Sequence, residues 1–390
     1  MMKVTKTVTS TALSLGLLMT VAACEYPGDT NGDNKQLGYH GTGMNHITNA
    51  KYEAVKTSLN QVPEPQYPPE EPGGPSAAEV YENVQVLGHL NELQFTRLMT
   101  HITEWVVPDE LYETDPDNAG CNYCHGGEEG FAWDGKYQKI VARKMLQMTL
   151  NINSKWQDHV GQVGVTCYTC HRGNAVPGQE WAGDVNDLLY WALPADTKSD
   201  GRALGYDAGQ NHPAYAINSS SLPEDPFSIF LAGDEEIRVI KNDALPQGSV
   251  DPGIKKTEYT YSLMTHMSQA LGVPCVTCHN SRAFAEWDQS PPQRWTAWYG
   301  IRMVRDINNG YMTPLTDVFP AVGISGQSRK GPKGDVYKVH CATCHQNVQK
   351  PLYGYPMLKD HPELWGRGAG YGDTAAALLT PPANGDSGGQ

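Results

Sequence analysis

Gly164-Val165-Thr166-Cys167-Tyr168-Thr169-Cys170-His171 holds two cysteines separated by two residues, with a histidine directly after the second. The same CxxCH order returns at Cys121-Asn122-Tyr123-Cys124-His125, Cys275-Val276-Thr277-Cys278-His279 and Cys341-Ala342-Thr343-Cys344-His345, so all but one of the 9 cysteines belong to such a unit. Disulfides or zinc ligands would account for paired cysteines in an exported chain. Neither accounts for a histidine after every second one. Residue frequencies give a chance expectation under about 0.01 such motifs per chain. Two thiols at this spacing add to the two vinyl groups of one haem, and the adjacent imidazole then coordinates the iron from the same side. The sequence therefore predicts four covalently bound haem c groups, with His125, His171, His279 and His345 as proximal iron ligands.

The remaining cysteine, Cys24, closes the N-terminal stretch. Lys3 and Lys6 precede an apolar run, which ends in Val21-Ala22-Ala23-Cys24. This reads as a secretory signal over residues 1–23, too short for a comfortable membrane span. Val-Ala-Ala-Cys also resembles a bacterial lipobox, which would make Cys24 the lipid-bearing first residue of the mature chain. An ordinary signal peptide with a chance cysteine is the alternative. Export to an oxidising compartment agrees with the motifs. The formal net charge of −14 argues against a nucleic-acid partner.

Upstream of the motifs the chain repeats itself. Arg97-Leu98-Met99-Thr100-His101 precedes the first motif and Ser262-Leu263-Met264-Thr265-His266 the third, while Gly164-Val165-Thr166 and Gly272-Val273-Pro274 lead into the second and third. Val80, Val84, Leu87, Leu90, Leu93 and Leu98 have helical spacing, as do Ile140, Val141, Met145, Met148 and Ile152. A helix along a haem face can offer a sixth ligand, and Met or His is the usual choice. Met99, Met145 and Met264 are the candidates, with Met148 on a neighbouring face of the second helix. Most methionines simply fill core gaps, and that reading stays open for each. The fourth motif has no methionine close upstream. If the second helix continues past Asn153, His159 falls near the same face as Met145 about 21 Å further along, and becomes the candidate distal ligand of the fourth haem. His101 and His266, two positions past candidate methionines, are turned away from them toward propionates or solvent.

With 40 glycines and 27 prolines, the expected fold is mainly α with long irregular loops, organised as a multihaem cytochrome c of two related dihaem modules. The expected divisions are residues 1–23 (signal), 24–75 (lipid-anchored extended segment), 76–177 (first module), 178–255 (connection), 256–350 (second module) and 351–390 (a partly disordered tail).

This constellation resembles the tetrahaem cytochrome c subunit of the photosynthetic reaction centres of purple bacteria. The matching stretches are Phe95-Thr96-Arg97-Leu98-Met99, Val141-Ala142-Arg143-Lys144-Met145-Leu146-Gln147-Met148-Thr149, Gly164 through Gly173, Trp298-Tyr299-Gly300-Ile301-Arg302-Met303-Val304-Arg305-Asp306 and Cys344-His345-Gln346. The resemblance covers about 80–364. It implies three Met/His haems using Met99, Met145 and Met264, one bis-His haem using His159, and a lipid on Cys24. It also implies an electron carrier rather than an enzyme, held on the periplasmic face of the photosynthetic membrane. Its partners would be the reaction-centre L and M subunits and a soluble donor, either a cytochrome c or a high-potential iron-sulfur protein. Arg294 matches an arginine beside the haem nearest the bacteriochlorophyll special pair. A periplasmic multihaem shuttle or reductase unrelated to photosynthesis is the alternative. Residues 111–118 look like an inserted acidic loop with no match in the family pattern.

Overall fold

The computed structural model describes residues 50–182, 222–239 except 224, and 253–366 except 325, 327 and 332, together with two short strands at 35–37 and 45–47. Cys24 and the signal stretch lie outside the described residues, as do most of the connection and everything after 366. The chain divides into two units, Met1–Ser58 and Leu59–Gln390. The first contains strands β1 (Lys35–Leu37) and β2 (Asn45–Ile47), which pair antiparallel with Gln36 opposite His46, and nearly all of α1 (Ala50–Leu59).

The second unit is helical with long irregular connections. In chain order its helices are α2 (Ala77–Val80), α3 (Glu92–Val106), α4 (Leu111–Thr114), α5 (Tyr137–Lys155), α6 (Gln157–Val160), α7 (Cys167–His171), α8 (Ile254–Leu271), α9 (Gln293–Ile307) and α10 (Cys341–His345). Among the described residues no helix is long and apolar enough to cross a membrane.

The expected helix through Val80 and Leu98 is really two elements. Helix α3 starts only after Asn91, whose side chain accepts from the Gln94 backbone N–H at 2.8 Å while the Gln94 side chain accepts from the Asn91 N–H at 3.2 Å. That reciprocal cap satisfies two donors a helix start leaves orphaned, and it outcompetes continuation of the apolar periodicity. Before it, Asn83 takes a left-handed φ of 63°, which a continuing helix does not permit.

The second expected helix forms as α5, but it does not continue as one rod. Trp156 at φ −108°, ψ 32° breaks it, and His159 sits on the separate short helix α6. The segment 111–118 is not an irregular loop either. It folds as α4 followed by a 3₁₀ turn at Pro116–Asn118, with Leu111 buried against Val107, Ala119 and Tyr123.

Two apolar clusters anchor the unit. Leu87, Leu90, Leu98, Trp105 and Leu146 pack with Leu352, Leu358, Leu364 and Trp365. Phe230, Leu231, Tyr259 and Leu263 pack with Ile301 and Val304. Residues 351–366, the first part of the expected C-terminal tail, pack into this core. Glu363 has no exposed surface and pairs with Arg97 at 3.0 Å.

Helices α3 and α7 pack together, and so do α8 and α10. Two asparagines with no exposed surface act alike in these halves. Asn153, near the end of α5, accepts from the Val165 N–H at 2.8 Å and donates to the Val165 carbonyl at 2.9 Å. Asn308, just past α9, makes the same two bonds to Val339, both at 2.9 Å. Val165 and Val339 each lie two residues before a CxxCH motif, so each motif is hung from a helix end by one amide.

Candidate functional site

Each CxxCH motif forms a single tight turn, but in two styles. The first and third are 3₁₀ turns, Gly120–Tyr123 and Cys275–Thr277. The second and fourth are the α-helical turns α7 and α10, which end in left-handed Arg172 and Gln346. Both α-helical turns start with a capping threonine bond. The Thr166 N–H donates to Thr169 Oγ1 at 2.9 Å, and the His340 N–H to Thr343 Oγ1 at 3.0 Å. A helical turn brings both cysteines and the histidine to one side of the backbone, as a single haem needs.

The four motif histidines share one device. The Nδ1 of His125 lies 3.0 Å from the Phe131 carbonyl, that of His171 2.8 Å from Asn174, that of His279 3.0 Å from Phe284 and that of His345 3.1 Å from Val348. His159 has the same arrangement with the Thr296 carbonyl at 2.8 Å. A carbonyl can only accept, so each Nδ1 carries the proton and each Nε2 keeps a free lone pair for a metal. Burial pushes all five imidazoles below the usual histidine range, His345 to about 4. The neutral ring, which is the ligating form, is thereby favoured.

The sulfurs tell the same story. Burial pushes the Cys124, Cys167 and Cys341 thiols up to about 12. They are kept out of the thiolate form that a zinc site requires, while a neutral thioether suits the environment. The eight described cysteines form no disulfide. Cys170 and Cys344 bring their sulfurs within 3.1 Å, so the second and fourth motifs meet.

A cavity of about 460 Å³ lies between α3 and α5 and is lined by Cys121, Cys124 and His125 of the first motif and Cys167, Cys170 and His171 of the second. Met99 and Met145 both line it, as does Met148. Met145 packs toward Leu315, Phe319 and Val336, whereas Met148 packs toward Ile152 and Val165. The wall also holds two buried donors without a partner, Gln138 Nε2 and Arg329 Nε. An apolar slot with free imidazoles, thioether-forming sulfurs and unpaired donors for carboxylates fits a haem. Arg329 carried no sequence signal, because it comes from an irregular segment far from the first two motifs.

His159 and His345, far apart in sequence, meet in space. Their ring centroids are 6.1 Å apart at an interplanar angle of 68°. With metal–nitrogen bonds of about 2 Å, that gap has room for one ion between two imidazoles. Met264 on α8 packs against the cluster of Phe230, Leu231, Tyr259 and Leu263.

The other charged and titratable candidates have structural roles of their own. Arg143 and Lys139 share Asp134, at 2.8 and 2.9 Å. Arg294 sits over the Trp287 ring at 4.2 Å and donates to the Glu286 carbonyl at 3.0 Å and to Ser290 Oγ at 2.7 Å, tying down the loop that carries the His279 acceptor. His101 and His266 are buried rather than turned to solvent. His101 stacks edge-on to His361 at 4.7 Å, and His266 packs on His340 at 4.5 Å. His361 had no sequence signal, since only the fold of the C-terminal segment carries it to α3.

Residues 28–365 match the family model described as the photosynthetic reaction centre cytochrome c subunit. Proteins named photosynthetic reaction center cytochrome c subunit are similar along most of their length. That of Rubrivivax gelatinosus is 47% identical over 92% of this chain and 88% of its own, and that of Thermochromatium tepidum 45% identical over 85% and 74%. That of Roseobacter denitrificans is 39% identical over 84% of each.

Proposed function

From the premise that the chain belongs to the photosynthetic reaction centre cytochrome c subunit family, and so is an electron-transfer subunit with covalent haem c on the periplasmic side of the membrane, we propose how it does this work. It receives electrons from a soluble periplasmic donor, a cytochrome c or a high-potential iron-sulfur protein. It delivers them to the photo-oxidised bacteriochlorophyll pair held by the L and M subunits. It carries four haem c groups, one per CxxCH motif, and is anchored by a lipid on Cys24. Met99, Met145 and Met264 serve with His125, His171 and His279 as axial ligands, and His159 serves with His345.

The observation that carries the ligand reading is the meeting of His159 and His345 at 6.1 Å between ring centroids, with each Nδ1 already committed to a carbonyl. Bound haem supplies a one-electron iron couple whose potential the axial ligand shifts, higher for Met than for His. The protein's part would be to offer methionine sulfur and imidazole nitrogen as ligands and to exclude water with the two apolar clusters. Gln138 Nε2 and Arg329 Nε, buried without a partner in residues that line the cavity, would serve as donors to the haem carboxylates.

The reading of two related dihaem modules is supported by the alternation of 3₁₀ and α-helical motif turns and by the twin amide bonds of Asn153 and Asn308. An acidic face steers a basic donor, consistent with a net charge of −14.

A redox titration of the purified subunit under anaerobic conditions tests the ligand set. Replacing Met264 by His lowers the midpoint potential of one haem and leaves the other three in place. A Met264→His variant with unchanged potentials removes Met264 from the set. Intact mass after denaturation counts the haems, and any number other than four overturns the count.

A further inference from the structure

Helix α9 contains Trp298-Tyr299-Gly300-Ile301-Arg302-Met303-Val304-Arg305-Asp306, and none of these residues is a haem ligand in the reading above. Its packing ties the stretch to His159. It lies along α6 and meets His159 and the chain leading to it at three points. The Thr296 carbonyl accepts from His159 Nδ1 at 2.8 Å. One turn later Gly300 lies directly under the ring: a Cβ placed there would be 2.5 Å from His159 Cε1 and 2.8 Å from Nδ1. Real Cβ atoms do not approach so closely, so any side chain at 300 must push the imidazole away. Glycine is a poor helix residue, and its presence in the middle of α9 needs a reason of this kind.

The third point lies six residues on, about 9 Å along the axis. Asp306 Oδ2 accepts from Trp156 Nε1 at 2.8 Å, Asn151 Nδ2 at 3.0 Å and Lys155 Nζ at 3.2 Å. Those donors are the last turn of α5 and the residue that breaks it. The Trp156 carbonyl in turn accepts the His159 backbone N–H at 2.9 Å. Asp306 therefore holds the break between α5 and α6, and the break is what points His159 at His345 instead of along the α5 axis. Burial works against the Asp306 carboxylate, but the bonds from Trp156, Asn151 and Lys155 outweigh it and hold it below the usual carboxylate range.

We propose that Gly300 and Asp306 are positioning residues for the bis-histidine haem, with Gly300 as the seat of the His159 ring and Asp306 as the clamp on the helix break that aims it. The inference rests on the reading of His159 as the distal ligand. It assigns a role to α9 that none of the motif residues performs.

The test uses the full-length holoprotein with haem content verified, followed by low-temperature electron paramagnetic resonance and redox titration. In Gly300→Ala, one haem of the set loses its low-spin bis-imidazole signal or shifts its midpoint by at least 59 mV, a tenfold change in the one-electron equilibrium. The remaining haems keep their signals. Asp306→Asn moves the same haem less, and Asp306→Glu restores it. Should Gly300→Ala fail to assemble, Trp156→Phe decides, because it keeps an aromatic ring at the break and removes only the donor to Asp306. Unchanged bis-imidazole signals in the assembled variants, or all haems shifting together, overturn the proposal. His159→Met separates the two readings. If it too leaves the bis-imidazole signal intact, the ligand assignment has failed; if it abolishes the signal while the α9 variants do not, only the positioning role has failed.

Discussion

Every described motif histidine spends its Nδ1 on a backbone carbonyl, so ring orientation is set by the chain itself rather than by another side chain. The histidines outside the ligand set are under a different constraint. Burial, followed by the positive charges of Arg97 and His101, pushes His361 down to about 3, and burial pushes His340 down to about 4. In the unfolded chain both titrate near 6.5. Between those values the unfolded state binds more protons than the native one, so stability is complete above about pH 6.5 and declines as pH falls toward 4. Urea unfolding from pH 8 to pH 4 should show that decline, and His361→Gln should flatten it. A variant with the same slope as the parent would place the titrating group elsewhere.

Among the elements, the sequence periodicity located α3 and α5 and misplaced their ends. Apolar spacing reports which face is buried, but where a helix starts or breaks depends on caps and on partners reached across the fold. Asn91 with Gln94 is a local capping signal, but the apolar spacing from Val80 to Leu98 runs straight across it. The break at Trp156 was not legible in the sequence, because the group that stabilises it, Asp306, lies on another helix. The twin amides Asn153 and Asn308 belong to the same class. Each satisfies both backbone groups of one valine, and Asn153 also donates to the Leu364 carbonyl at 2.9 Å. Asn153→Ala leaves those groups buried without partners, at about 1–3 kcal/mol for each. The thermal midpoint should fall clearly, and Asn308→Ala should do the same through the fourth motif. A drop no larger than that of a surface substitution would show that these bonds do not hold the motifs.

For the whole molecule the charge balance is acidic, at a formal −14. Asp109, Glu110, Glu113 and Asp117 are exposed on α4 and its flanks, just ahead of the first motif, where Cys121 is itself exposed. The segment that looks like an insertion in the sequence thus sets an acidic rim beside the first CxxCH motif. A basic donor should reduce the subunit fastest at low ionic strength, slowing as salt screens the rim over a Debye length of about 10 Å at 0.1 M. Replacing Glu110, Glu113 and Asp117 by their amides should lower the association rate and flatten its salt dependence in stopped-flow reduction. Rates indifferent to salt in the parent protein would end the steering proposal.

The sequence by itself determined the covalent chemistry, because two thiols and an imidazole within five consecutive residues satisfy one haem edge whatever surrounds them. Its family pattern pointed as well to Met99, Met145, Met264 and His159. What brings His159 to His345 is contact between remote segments, and that only the tertiary structure decided. His159 faces His345 because a helix breaks at Trp156 and because Asp306 and Gly300, from α9, hold and accommodate it. A local motif can be read along the chain. The meeting of His159 with His345 is closed across it, by packing that spacing alone does not encode.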